Sequence, residues 1–260
     1  MSTEPFDVEP KPVPRYVVTS LESRPDLSER HQNFGGGAWP EFMLHDPVAI
    51  AHWDSLMAWF PDCQLTLLCG DEILAVINSI PLQFEAPLEE LPDRGVDWGV
   101  EKSVSDYEAG REPNALLGLQ VVVGQKFRSR GVSSSAVQDM ISLAAEKRLA
   151  RVLLPVRPSG KHRYPLIPME QYAGWSDTSG LPHDGWLRVH ARLGGQTVRV
   201  CPRSMTIRGS VEDWSRWTGQ AFPGSGEYLI PGALNPIDVD VDEDLGVYLE
   251  PNVWVVHQVS

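Results

Sequence analysis

Arg128, Gly131 and Ser133 form an Arg-x-x-Gly-x-Ser turn. It joins an apolar run at residues 119–123 to a helical pattern and then to a second apolar run at residues 152–156. The chemistry this spacing supports is anion binding. A turn between strand and helix aims unpaired backbone N–H groups at one point, and the helix dipole adds partial positive charge there, so a pyrophosphate fits. Gly131 lets the backbone approach a ligand closely. Ser133, Ser134 and Ser135 are small hydrogen-bond donors in the first helical turn, and Lys126, Arg128 and Arg130 add cationic charge. No Gly-Lys-Ser/Thr closes the turn, so it is not a P-loop. The three glycines of a dinucleotide fingerprint are missing as well.

The elements that must position this turn are readable on both sides of it. The following helix sets Val137, Met140, Ile141, Ala144 and Ala145 on one face and ends with Lys147 and Arg148 near its negative pole. Upstream, residues 16–21 suit a first strand. Asp46 can cap a helix through Ile50, Trp53, Met57 and Phe60, with Pro47 at its first position. Residues 65–68 and 73–77 flank Cys69-Gly70-Asp71-Glu72 and predict a hairpin. A polar insertion at residues 81–114 holds a short helix over residues 98–107. Downstream lie a Pro- and aromatic-rich segment (157–182), a helix over 184–193 stopped by Gly194-Gly195, and late strands at 196–201 and 246–259. Between those strands sits an insertion at 202–244 that carries Trp214 and Trp217. This order predicts an α/β sheet with a crossover helix. Residues 1–14, with four prolines, predict an extended or disordered tail, and residues 15–260 a single elaborated domain, since no internal repeat is visible.

Net charge is −13, but its distribution carries the information. Residues 125–163 sum to +7 and leave −20 for the rest of the chain. A nucleic-acid binder carries broader basic surfaces, whereas a basic island in an acidic chain fits a small anionic ligand. Cys63, Cys69 and Cys201 are odd in number and lack metal-ligand spacing, which predicts reduced thiols and a cytoplasmic location. No apolar segment is long enough to span a membrane, and no metal site is expected: His45 and His52 lack a third ligand, and the Asp238–Asp244 alternation lacks the Gly and Glu of a calcium loop.

The turn resembles the acetyl-CoA motif of the GCN5-related N-acetyltransferases, a Gln/Arg-x-x-Gly-x-Gly/Ala pattern after a central strand. Arg128 opens it, Gly131 matches the central glycine, and Ser133 stands where Gly or Ala is usual. The whole chain is similar to a longer, actinobacterial-type branch that shares stretches like Trp39-Pro40-Glu41-Phe42 and Glu250-Pro251-Asn252-Val253-Trp254. The resemblance implies a mixed, mostly antiparallel sheet flanked by helices, splayed between two central strands and carrying large insertions. It also implies acetyl-CoA as acyl donor, held by Val121, Val122 and Val123 along the pantetheine arm and by Arg128, Ser129, Arg130, Gly131, Val132, Ser133 and Ser134 at the diphosphate. The acceptor is then a small-molecule amine, attacked directly in a ternary complex within a pocket built by the three insertions. Homodimers are common among similar proteins.

Acyl transfer to an amine needs a polarised thioester carbonyl, a deprotonated amine and a proton for the departing thiolate, whose reference pKa is roughly 8.5. In the family a Tyr in a late helix often supplies that proton, and His190 occupies its position here. Two readings stand side by side: a proton donor, or a satisfied buried histidine sharing a face with Trp186 and Leu193. Glu41 is the candidate base, with a solvated loop carboxylate as its alternative. Tyr164 and Tyr172 either line the acceptor pocket or pack their loop down. Two rivals to the transferase follow: a non-catalytic acyl-CoA sensor or scaffold, and a transferase using a longer acyl chain or a carrier-protein donor.

Overall fold

The computed structural model describes residues 12–259, so most of the expected N-terminal tail lies outside the described residues. Nine strands form one continuous sheet. The first four are β1 (Val17–Ser20), β2 (Gln64–Cys69), β3 (Glu72–Leu82) and β4 (Ala115–Val123), each antiparallel to the next. The hairpin between β2 and β3 forms where expected, with Gly70 at φ 59° taking the left-handed corner. Next comes β5 (Arg151–Val156), the one parallel neighbour, reached from β4 through a crossover helix. The long β9 (Leu245–Gln258) pairs with β5 on one edge, then with β8 (Ile237–Asp240), which pairs with β7 (Gly226–Tyr228); its other edge carries β6 (Gln196–Gly209).

Helices cover both faces. They are α1 (Ser28–Gly36), α2 (Pro47–Trp59), α3 (Gly95–Glu108), α4 (Val132–Glu146), α5 (Met169–Ala173), α6 (Gly185–Arg192) and α7 (Val211–Thr218). Asp46 caps α2 as expected, accepting from the Ala49 amide at 2.8 Å. Asp184 caps α6 through the amides of Trp186 and Leu187 and also accepts from Gly160 and Tyr172, so one carboxylate pins the Pro-rich segment to the helix start. A reciprocal Ser210–Asp213 box opens α7. Ser210→Ala is expected to cost about 1 kcal/mol of stability, measured by urea denaturation, because the Asp213 amide loses its acceptor.

Three expectations change. The helix of the first insertion spans 14 residues, because its Gly95 start reaches back past Trp98. The inner face of α4 is Val132, Ala136, Val137, Met140, Leu143 and Ala144; Ala145 is exposed, since the 3.6-residue period brings Leu143 inward instead. The late strand expected at 196–201 runs on to Gly209, because Pro202 falls in a register shift between Cys201 and Met205 where no ladder N–H is needed. The start of the expected insertion at 202–244 is therefore sheet, and its later part adds β7 and β8. No helix among the described residues is long and apolar enough to cross a membrane.

Candidate active site

The parallel strands β4 and β5 pair only at Ala115–Leu117 with Arg151–Leu153. Beyond that point β4 follows β3 and β5 follows β9, so the two diverge as a V. Backbone groups of residues 118–123 on that side find no strand partner, which leaves an extended peptide edge inside the sheet. At the mouth of the V, β4 carries a bulge: Asn78 faces Gln120 and Ser79 faces Gly118, so Leu119 is the extra residue. A cleft of about 690 Å³ opens along this gap, lined by residues 118–123 of β4 and by Leu154, Pro155 and Val156 of β5.

One end of the cleft is the sequence-predicted turn. Gly131 sits at φ 81° and Ser129 at φ 59°, two left-handed residues that curl the chain before α4. Among the described residues, the amides of Ser129, Arg130, Gly131, Val132 and Ser133 donate to no backbone carbonyl, and Gly131 caps α4 without any side-chain bond. They converge at the helix N-terminus, a ready anion cradle. Of the expected cofactor residues, Val121, Val122, Val123, Arg128 and Ser133 line the cleft, whereas Ser129, Arg130, Gly131, Val132 and Ser134 are not part of its lining.

The other end was not legible in advance. Two buried polar assemblies face each other across the cleft. On the β4 side, His31 meets Thr66 through Nδ1 (2.8 Å) and Asn78 through Nε2 (3.0 Å). Asn78 Oδ1 accepts from Gln120 (2.6 Å), whose own Oε1 accepts from the Trp39 indole (2.6 Å). Gly35 leaves the room this needs, since a Cβ there would lie 2.7 Å from the Gln120 amide nitrogen. The chain of bonds locks Gln120, the residue beside the bulge. On the β5 side, Arg157 Nε donates to Glu250 Oε1 at 2.5 Å and Nη2 to the Gly232 carbonyl at 2.6 Å. Tyr248 donates to the second oxygen of Glu250, and Lys161 donates to the carbonyls of Leu234 and Tyr164. These groups fill the edge of β9 between Tyr248 and Asn252, which neither β5 nor β8 reaches. Trp39 spans the two sides: its ring lies 6.0 Å from the Arg157 guanidinium.

The expected chemical groups are placed differently. His190 is buried behind Trp186 and outside the cleft lining, its Nδ1 2.9 Å from Nε2 of His257. Burial, with His257 alongside, drives its pKa down to about 3, so the ring is held neutral. The helix face that His190 shares with Trp186 turns inward to His257 of β9, while its Nε2 is buried with no hydrogen-bond partner among the described residues. Glu41 is exposed, pairs with His45 at 3.2 Å and is not among the residues lining the cleft. Tyr172 is buried, its hydroxyl donating to Asp184, and Tyr164 packs against it and Trp175; both hold down the Pro-rich loop rather than line the cleft. The three insertions do reach the cleft, through Val96 and Val100, Arg157 and Ser159, and Met205, but α1, α2 and the loop between them supply much of its wall. Two signals were available. Both stretches shared with the longer branch converge here, as Trp39 from one and Glu250 and Asn252 from the other.

Asp46 and Asp97 form a buried acid pair at the starts of α2 and α3, the two helices that supply Ala49, Ile50, Trp53, Val96 and Val100 to the wall. Burial and the neighbouring Asp46 charge push Asp97 up to about 8, and burial raises Asp46. The native state therefore keeps a proton that the unfolded chain releases above the ordinary carboxylate range. Stability from this site falls as pH rises from about 4 to 8, by up to about 1.4 kcal/mol per pH unit. His31 and His190 act in the opposite sense: burial lowers them to about 4 and about 3, so the unfolded chain binds more protons below pH 6.5 and acidification destabilises the native state. The melting-temperature advantage of Asp97→Asn over the parent should widen steadily from pH 5 to pH 8. A constant difference would mean that Asp97 is ionised in the native protein.

No family model matches the chain. It is 33% identical, over 95% of its length and 95% of the relative's, to the arginine N-acetyltransferase avaD of Aspergillus versicolor. The chain belongs to the GCN5-related N-acetyltransferases. Among solved structures the fold matches the loading GNATL domain of CurA from Lyngbya majuscula, with a TM-score of 0.57 at 16% identity, covering 94% of this chain and 98% of that one. It also matches the GphF GNAT-like decarboxylase in complex with isobutyryl-CoA, with a TM-score of 0.51 at 14% identity, covering 95% and 100%. The chain is an acyl-CoA-dependent N-acyltransferase.

Proposed function

We propose that this N-acyltransferase moves an acetyl group from acetyl-CoA to the amine of a small amino acid, with arginine the leading acceptor. The observation that carries the reading is the cleft itself. It is continuous from Arg128 and Ser133 at the amide-rich turn, along the open edge of β4, to a chamber walled by Trp39, Trp53, Trp186, Arg157 and Glu250. A diphosphate at the cradle places an extended pantetheine arm against residues 121–123, where its amides pair with the strand as an added β-strand would. The thioester then lies near the Leu119 bulge, where backbone N–H groups polarise its carbonyl. The acceptor amine attacks that carbon, the C–S bond breaks, and the thiolate leaves. No tyrosine or histidine other than His31 lines the cleft among the described residues, and His31 is held neutral within its own bonds, so cleft water is the proton carrier in this reading. Kinship with an arginine N-acetyltransferase over nearly the whole chain supports the acceptor class.

The test is thiol release from acetyl-CoA with a panel of amino acids, polyamines and aminoglycosides. Acetylation of arginine, identified by mass, is the expected result. Turnover confined to polyamines or aminoglycosides, or binding of acetyl-CoA without transfer to any amine, would reject the reading.

A further inference from the structure

The cluster at the proposed acceptor end is incompletely paired. Arg157 brings a positive charge into the β5 side of the cleft wall, and Lys161, whose pKa burial lowers, lies behind it, with Glu250 the carboxylate acting on both. Glu250 is the only acid bridging Arg157 among the described residues, and the only acid acting on Lys161. Lys161 and Glu250 are fully buried, so water screens these charges weakly. The guanidinium is also incompletely used. Nε and Nη2 are bonded, whereas Nη1 has no hydrogen-bond partner among the described residues and is not sealed from the cleft that Arg157 lines. Beside it stands Asn252, 3% exposed and lining the same cleft. Its Nδ2 donates to the Pro155 carbonyl and to Ser204, while its Oδ1 is buried with no donor.

The wall therefore offers a guanidinium with a free N–H and, two residues along β9 from its partner Glu250, one unpaired acceptor. A zwitterionic amino acid supplies both missing partners. Its carboxylate completes Arg157, and an N–H of its amine completes Asn252 Oδ1, leaving the nitrogen beside the bulge of β4. We infer that Arg157, fixed by Glu250 and the Gly232 carbonyl, is the anchor for the acceptor's carboxylate, and that Asn252 orients its amine. The enzyme thereby selects amino acids over the corresponding decarboxylated amines. This inference rests on the transferase reading above and adds which part of the acceptor is recognised.

The experiment compares kcat/KM for arginine with that for agmatine, its decarboxylated counterpart, and for arginine methyl ester, in the parent, Arg157→Gln and Asn252→Leu. The parent should prefer arginine over both by about 100-fold, since a charge-assisted bond is lost and a buried donor is left unpaired. Arg157→Gln should lower kcat/KM for arginine by about 100-fold and for agmatine by less than about 3-fold, collapsing the preference without changing the KM for acetyl-CoA. Asn252→Leu should lower kcat/KM for both acceptors. The comparison in the parent stands even if a variant fails to fold. Equal use of arginine and agmatine by the parent overturns the carboxylate anchor while leaving the transferase reading intact. Transfer to no amine overturns both. Should Arg157 instead hold a carboxylate on the donor, Arg157→Gln would suppress turnover of malonyl-CoA with the arginine-to-agmatine ratio at unity, and the inference falls.

Discussion

Gly131→Val should raise the KM for acetyl-CoA by about 100-fold and weaken CoA binding in calorimetry to match, while far-UV circular dichroism stays that of the parent. Gly131 holds φ 81°, which a β-branched residue adopts only at a cost of about 1–2 kcal/mol. A Cβ there would also lie 3.1 Å from the Val13 methyl, so the turn must shift on that side as well. Either adjustment rotates the amides of Ser129–Ser133 out of convergence, and a diphosphate needs several of them at once. Binding within about 3-fold of the parent would show that these amides do not hold the cofactor.

Glu250→Ala carries the largest expected loss of stability, about 3–5 kcal/mol by denaturant unfolding. The carboxylate is completely enclosed, and its removal strands the Arg157 guanidinium and the Tyr248 hydroxyl together. Burial already holds Glu250 above the ordinary carboxylate range, against the pull of Arg157. Glu250→Gln keeps two polar atoms in place and should cost less than half as much. The pair Arg157→Met with Glu250→Leu should recover most of the loss, because it removes both desolvated charges. A Glu250→Ala protein as stable as the parent would mean that water reaches this pocket freely.

What was legible in the sequence was what the chain encodes locally. Asp46 with Pro47 announces a helix start, Gly70 a hairpin corner, and Arg128-x-x-Gly131-x-Ser133 an anion turn, because each needs only neighbours within a few residues. The turn at one end of the cleft is a local object, and its backbone form was readable for that reason. The opposite end, where we propose the acceptor binds, is assembled from Trp39, Arg157, Gly232 and Glu250, which meet only after β5, β9 and the loops around them are in place. No spacing in the chain encodes that meeting. Leu119 reads as one more apolar strand residue, and only the offset between Asn78–Gln120 and Ser79–Gly118 reveals a bulge. His190 shows the reverse case. Position in a familiar pattern suggested chemistry, while its partner 67 residues away, His257, decided its surroundings.

The V between β4 and β5 has a consequence for the molecule's solution behaviour. Unsatisfied strand borders normally sit at a sheet's rim, where another polypeptide can zip onto them. Here such a border is kept indoors, flanked on both sides by paired strands and roofed by helices. A border so enclosed is hard for a second protein to reach, so the open edge of β4, where we propose the cofactor arm pairs, is not presented for aggregation.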